Sequence, residues 1–551
     1  MRGIANSGGI LLSGLQTGAT QARDGVTPQP AGSHPVSSAP LSFQSEMGRI
    51  SRQSGIVFAG TIFTAVFGYV FKVYLAHVLG AEALGLYALG MTIISFLGII
   101  NGLGLPDSAV RFVSLYLASG KFTALRSLLW NGSWILLASN LVIAAVVLKA
   151  GPWIAIRFYH SPQLVRYLPL FALIMVTGAL NMFFGKVLAG YKEVGRRTVI
   201  TRFIASPLTM ALTIALVILG GGLRGYLVAQ IVSAVIVLGL LVSLVWRLTP
   251  AAARSFDAGR LSIEREVWSF SAAMFGVGMM EFFMGQTDRV ALGHYRGAHD
   301  VGVYAVAATL VAYEPIILQS VNQIFAPVIA DIHTRGDHRL LGRLFQTLTK
   351  WMLGLSFPLA VVMILFARPI MAVFGHDFEP GWPILVIGTC GQLVNCGVGS
   401  VGCMLLMSGN QHRLVRVQAY MAAMMVVLSI WLVPLWGVWG AAVAAAVTNV
   451  GVNVWNLVEV RSALKLFPYN RSYLKLVPPL AGAFFVTWLA SKFSASVSIF
   501  ISMKTDLMVI FVALVSAYAT FSAVALLMGL DEDDRLIANA VWARVRGAVG
   551  Q

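Results

Sequence analysis

The sequence predicts an all-α polytopic membrane protein of about fourteen transmembrane helices, and three observations lead there. Hydrophobic residues make up 58% of the 551 positions and charged residues only 11%, against roughly 25% charged in a soluble globular chain. Apolar runs of about 20 residues, the length that crosses a hydrocarbon core, recur along almost the whole chain. Lys and Arg, finally, concentrate in alternate connections.

Taken in order, the runs are 54–79, 84–106, 125–148, 168–189, 200–220, 225–246, 267–292, 300–329, 346–367, 383–407, 414–435, 438–458, 476–491 and 507–529. The run 300–329 is long for one crossing, so tilt or a kink at Pro315 is expected. Most of the 39 Lys and Arg lie on the side that holds residues 1–53. That bias puts both termini in the cytoplasm.

The net charge of +17 does not indicate nucleic acid. The basic residues are dispersed between apolar runs and form no basic face interleaved with aromatics. Cys390, Cys396 and Cys403 share one apolar run without metal-ligand spacing, and read as buried small apolar residues. Residues 1–53 have the Ser-, Gly- and Pro-rich make-up of a disordered cytoplasmic tail, and Met47 is a second candidate start. The stretch DEDDRLIANAVWARVRGAV places acids before bases, as an interfacial helix would.

An internal repeat organises the spans. Shifting the chain by 217 positions lays KVYLAHVLGAEALGLYA (72–88) on RVALGHYRGAHDVGVYA (289–305). Val73, Leu75, His77, Gly80, Ala81, Gly85, Tyr87 and Ala88 recur as Val290, Leu292, His294, Gly297, Ala298, Gly302, Tyr304 and Ala305, and Lys72 is matched by Arg289. Weaker echoes pair LAGYKEVGRR (188–197) with LMSGNQHRLVR (406–416), and GLRGYLVA (222–229) with GVWGAAVA (437–444). Six spans per repeat is an even number, so both halves enter from the same side. The expected architecture is two six-helix lobes, 54–247 and 267–460, related by a pseudo-twofold along the membrane normal. A cytoplasmic linker, 248–266, joins them, and 461–551 adds two spans and a cytoplasmic tail. Transporters built this way place substrate between the lobes and rock one against the other.

The chain resembles the polysaccharide-transporter branch, the O-antigen and exopolysaccharide flippases, of the multidrug/oligosaccharidyl-lipid/polysaccharide flippase superfamily. The resemblance covers about residues 50–470. It rests on the GAEALGLYAL turn, on FAPVIADIHTRGDHRLLGRLFQTLTKWM (325–352), and on VFGHDFEPGWPIL (373–385) followed by LLMSGNQHRLVR (405–416). It implies translocation of a polyprenyl-pyrophosphate-linked oligosaccharide from the cytoplasmic to the periplasmic leaflet of a bacterial inner membrane. No bound cofactor is implied; a proton or Na⁺ gradient would drive the step. Polysaccharide polymerase and export proteins are the implied partners. Peptidoglycan-precursor flippases share the span number and remain an alternative.

Charged groups within spans are costly and point to function. Those singled out, away from the ends of the runs or at the repeat, are Lys72, Lys186, Glu281, Asp288, Arg289 and Glu314. Lys72 and Arg289, as repeat equivalents, would meet across the pseudo-twofold and bind the pyrophosphate, whose charge calls for cationic partners. Gln230, Gln286, Gln319, Asn322 and Gln323 are candidates for the sugar. Glu281, Glu314 and Asp288 are candidates for ion coupling, because a carboxyl that alternates between dry and cation-flanked settings can load and release a proton. Glu281 and Asp288, seven apart, should share a helix face. The structural alternative is that the charges pair, Lys72 with Asp288 for instance, and that Lys186 snorkels to the surface. Pro315, Pro327 and Pro358 mark candidate kinks.

The rival class is a membrane glycosyltransferase, polymerase or ligase. Such enzymes carry large outer loops or acidic motifs outside the bilayer. The longest outer stretch here, 149–167, holds Lys149, Arg157, His160 and Arg166 and no carboxylate. No Gly-rich phosphate loop is present. The expectation is a transporter with no catalytic residues and no metal site.

Overall fold

The computed structural model describes residues 43–254, 263–497, 503–529 and 534. Residues 1–51 and 52–551 are separate compact units, and the site lies in the second. The expectations for residues 1–42, and for 530–551 apart from Asp534, lie outside the described residues.

Every regular element among the described residues is helical. The elements are α1 (Phe43–Gly102), α2 (Leu105–Ala118), α3 (Phe122–Trp153), α4 (Leu168–Gly190), α5 (Val194–Ile218) and α6 (Gly222–Leu248). They continue with α7 (Arg265–Tyr295), α8 (Ala298–Val311), α9 (Ile316–Thr334), α10 (His338–Leu365), α11 (Trp382–Val398) and α12 (Val401–Met407). The last four are α13 (Gln411–Trp436), α14 (Val438–Leu464), α15 (Val477–Val497) and α16 (Met503–Leu527). Large apolar side chains stand outward on many of them, Val142, Leu219, Trp431 and Phe511 among others. A lipid-facing surface tolerates these; a water-facing one of this extent would not.

Twelve helices among the described residues are long and apolar enough to cross a membrane, and α8 with α9 makes a bent thirteenth. The sequence count of fourteen treats the two arms of α1 as separate spans. Their apolar stretch runs 46 residues, about 69 Å at 1.5 Å per residue, far too long for one crossing of about 30 Å. Gly80, at φ 76° and ψ 175°, interrupts it, in a region that glycine enters without a Cβ penalty.

Pro315 ends the α8 segment as the sequence predicts. It has no N–H to continue the helix and restricts Glu314 before it, and the chain bends by 46° there. Pro358 instead lies inside an unbroken α10; the side chain of Pro327 is not among those described. One predicted span, 383–407, is broken between α11 and α12 at Gly399, φ 82°, where a Cβ would stand 2.2 Å from Thr349 Oγ1. The expectation of three buried cysteines holds for Cys396 only: Cys390 is exposed and Cys403 half-buried. A helix crossing a bilayer presents one side to lipid, where a thiol is as well accommodated as a methyl group.

One repeat echo, 222–229 with 437–444, corresponds to equivalent turns; in the other, Gly190 is helical whereas Gly409 has positive φ. Gly222 and Gly437, which open α6 and α14, both have positive φ, 48° and 59°. Three residues on, Gly225 packs on Leu216 and Gly440 on Leu432 across the two hairpins.

Candidate functional site

The site is built where the α1 arms meet α7 and α8. Gly80 and Gly297, repeat equivalents, adopt nearly the same backbone, φ 76°, ψ 175° and φ 89°, ψ −177°. The helices that follow them cross at Gly85 and Gly302, and the contact is reciprocal. A Cβ on Gly85 would fall 1.7 Å from the Ala298 carbonyl oxygen, and one on Gly302 would fall 1.9 Å from that of Ala81. Ala81 and Ala298 are equivalents too, so each half presents the same surface to the other.

Beside this crossing stand the two cations. Lys72 Nζ donates to Thr309 Oγ1, on the opposite half. Arg289 Nη1 donates to Gln286 Oε1 at 2.8 Å, and Thr92 Oγ1 lies 3.5 Å from that same oxygen. Thr92 and Thr309 are themselves equivalents at the repeat spacing. The half-buried Lys72 and Arg289 are close enough for their charges to act on each other. Arg289 Nε is buried without a hydrogen-bond partner among the described residues. Two neighbouring cations in a partly dry setting, one with a donor to spare, make a setting that favours an anion; the one carboxylate beside them, Asp288, acts on Arg289.

Asp288 does not neutralise them through Lys72. Its Oδ2 accepts from Tyr304 Oη at 2.5 Å and its Oδ1 from the Arg289 backbone N–H at 2.8 Å. Asp288 is buried, whereas Glu281 is exposed. The two lie two turns apart on the one unbroken helix, yet in different surroundings. α7 packs on different elements along its length, so residues seven apart meet different surroundings.

Both ends of α7 are held by the N-terminal half. At its start, Ser271 Oγ is 2.6 Å from Ser108 Oγ, and Gly104 lies against the Ser271 carbonyl. At its end, Gly293 packs on Leu89 and Tyr159, and His294 Nδ1 lies 2.7 Å from the Phe158 carbonyl oxygen. The cationic pair lies between these two closures.

The other candidates are dispersed. Gln230 donates to Tyr87 Oη at 2.9 Å and to Tyr226 Oη at 2.8 Å, an arrangement that braces the N-terminal half. Gln319 is exposed, and Asn322 Oδ1 is buried without a partner among the described residues. The side chain of Gln323 is not among those described. Lys186 does not snorkel freely: its Nζ pairs with Asp107 Oδ1 at 2.7 Å.

Glu314 is wholly buried, and neither carboxyl oxygen has a partner among the described residues. Its charge would reach Cys390, Cys396 and Tyr518. The Thr389 hydroxyl is likewise buried without a partner among the described residues, and Ser356 stands beside Cys396. An unpaired carboxylate is costly there, so a bound proton or cation would lower the energy of this state.

Sequence reasoning missed Thr92, Thr309 and Tyr304. Extending the repeat by four positions finds the threonines, and Tyr304 was already inside it. No group of three or more His, Cys, Asp or Glu among the described residues could hold a metal ion.

Comparison with known proteins agrees with this architecture. The Succinoglycan biosynthesis transport protein ExoT of Rhizobium meliloti is 23% identical over 326 residues, 58% of this chain and 62% of that protein, so the match spans less than two thirds of its length. The Probable flippase AglR of Haloferax volcanii is 21% identical over 434 residues, 76% of this chain and 84% of that one. Among solved structures, Lipid II flippase MurJ in an inward closed conformation superposes with a TM-score of 0.66 at 16% identity, covering 85% of this chain and 98% of its own. An inward-facing multidrug resistance MATE family transporter of the MOP superfamily gives 0.59 at 16% identity, covering 73% and 95%. These likenesses establish the fold. The family model described as polysaccharide biosynthesis protein matches residues 74–381, more than half of the sequence, and the chain belongs to that family.

Proposed function

We propose that the protein is a flippase, moving a polyprenyl-pyrophosphate-linked oligosaccharide from the cytoplasmic to the periplasmic leaflet of a bacterial inner membrane by ion-coupled alternating access. The observation that carries this reading is the pair Lys72 and Arg289. They are repeat equivalents and they neighbour each other between the halves; Lys72 reaches Thr309, and Arg289 shares the Gln286 side-chain oxygen with Thr92, the repeat equivalent of Thr309. A pyrophosphate between them would gain two charge-assisted contacts, and Gln286 and Asn322 would meet the adjoining sugar, with Gln319 nearer the surface. The curated relatives bear the names of transporters and flippases, which supports transport over glycosyl transfer. Proteoliposomes loaded with a fluorescent lipid-linked oligosaccharide test it. Gradient-dependent exposure to an external lectin is expected; turnover of a sugar nucleotide with no translocation would overturn it.

The fold of Lipid II flippase MurJ favours a second reading, a peptidoglycan lipid precursor as cargo. Presenting that precursor in the same liposomes separates the two by relative rate.

Glu314 and Glu281 are the proposed ion carriers. The positions 217 earlier are Thr64 and Leu97, so the ion would bias one half alone. Glu314→Gln and Glu281→Gln are expected to keep substrate binding while the translocation rate loses its dependence on an imposed proton or Na⁺ gradient. A rate that still follows the gradient in both variants removes these carboxyls from the coupling.

The proposed orientation has its own test. Single cysteines introduced into a cysteine-free variant in intact cells should be labelled from outside in 149–167 and 368–382, and not in 190–200 or 331–345. The reverse pattern inverts the topology.

A further inference from the structure

We propose that the protein holds one aminophospholipid, a glycerophospholipid with a primary ammonium headgroup, in a cavity where α7 and α13 turn into α8 and α14. The cavity measures about 680 Å³, and Arg296, Asp300, Ile387, Trp436, Trp439 and Val443 line it. α7 ends at Tyr295 and α8 begins at Ala298; α13 ends at Trp436 and α14 begins at Val438; Ile387 lies in the first turns of α11. Five helix ends thus meet around it. Tyr295, Trp382 and Leu435 stand outward on those ends, the mixture of aromatic and aliphatic side chains found at the level of lipid headgroups.

Arg296 and Asp300 bring opposite charges into one cavity without pairing with each other. Arg296 makes no ion pair among the described residues, and its Nη2 reaches the Pro434 carbonyl oxygen at a long 3.4 Å. Its guanidinium lies along the turn because Gly437 has no side chain: a Cβ there would stand 3.0 Å from Arg296 Nε. Asp300 Oδ1 lies 3.4 Å from Nδ1 of the exposed His299. The turn itself does not require these charges. Its repeat equivalent has nearly the same backbone at Gly80 as at Gly297, with Leu79 and Ala83 in place of Arg296 and Asp300. An acid near a helix start suits the helix dipole, and Glu82 supplies one in the first half. The cation opposite it has no counterpart there.

The combination selects its ligand. An ethanolamine headgroup carries a negative and a positive charge a few bonds apart. Its phosphate suits a guanidinium with donors to spare, and its ammonium has N–H groups to give to a carboxylate. A choline headgroup has no N–H to give, and an anionic headgroup brings Asp300 no positive charge. The faces of Trp436 and Trp439 suit the ammonium as well. Ile387 and Val443 offer apolar wall to the first methylenes of an acyl chain, which a soluble zwitterion would leave uncovered.

Native mass spectrometry of the full-length protein in detergent tests this, in a Lys72→Ala/Arg289→Ala background so that the central pair does not contribute. The probes are the dioleoyl forms of phosphatidylethanolamine, phosphatidylcholine and phosphatidylglycerol, and maltotetraose as a neutral soluble sugar. One phosphatidylethanolamine should be retained, about tenfold more tightly than either other lipid, as one charge-assisted contact would give. Asp300→Asn should remove that preference, and Asp300→Lys should turn it towards phosphatidylglycerol, a gain that misfolding cannot produce. Arg296→Gln should weaken the retention of all three. Equal retention of the three lipids before any change at the cavity overturns the site. So does a preference for phosphatidylethanolamine that survives both changes at Asp300, or displacement of the lipid by maltotetraose, which would make the cavity a sugar site.

Discussion

Arg289→Ala and Lys72→Ala are each expected to abolish complementation of a strain lacking this protein, while the variant still reaches the membrane at native abundance. The two cations share a partly dry setting in which the acid nearest to them in sequence, Asp288, is engaged by Tyr304 and a backbone N–H. Asp288 acts on Arg289 but makes no contact with Lys72, and on the proposed function the anionic substrate balances the pair. Removing one cation from a buried ion-paired site costs about 2–5 kcal/mol, which is a loss of roughly 30-fold or more in affinity. Arg289→Lys should recover part of the loss, because it keeps the charge but not the fork of donors. Binding of a lipid-linked oligosaccharide to the purified variants checks the cause. If all of them bind and complement as the native protein does, the pair is structural.

The second large effect is expected at the helix crossing. In Gly85→Val or Gly302→Val the added side chain meets a backbone carbonyl that cannot rotate away, so the two halves must separate at this point. Overpacking of this kind typically costs about 1–3 kcal/mol, and occasionally more. The closed arrangement should lose population by about tenfold or more, and the transport cycle should stall. Spin labels at Leu219 and Leu435, exposed on the two halves, would report a longer and broader distance distribution. An unchanged distribution in both variants would mean that the crossing is not a closure point.

Much of this arrangement was legible in the sequence because it was written twice. The match of 72–88 with 289–305 picked out the paired cations, and it contains the glycines that turn out to form the crossing, though neither the crossing nor their positive φ was expected from it. Thr92 and Thr309 lay in the same register but were passed over, since a lone Thr in an apolar helix ordinarily bonds back to its own backbone, as both do here. The surroundings of Glu314 were not legible. They come from residues about 40, 80 and 200 positions further on, with no periodicity to link them. The partner of Lys186 was hidden likewise, because Asp107 lies at the start of α2, outside the spans. The different burial of Glu281 and Asp288 was not legible either, because helical spacing gives the face of a residue and not what packs against it two turns away.

The reciprocal meeting of Gly85 with Ala298 and Gly302 with Ala81 has the form of an isologous dimer interface, the kind in which a surface is its own complement. A half-length chain carrying this turn could make the same contact with a second copy of itself. In the fused chain each copy of the turn has become the other's only tolerable neighbour, so a bulky change in either one forces the same separation. The second of two such changes should then cost little beyond the first, a coupling that a double-mutant cycle would measure. Positions away from this axis carry no such bond between copies, and it is there, at Glu314 against Leu97, that the halves have been free to become different.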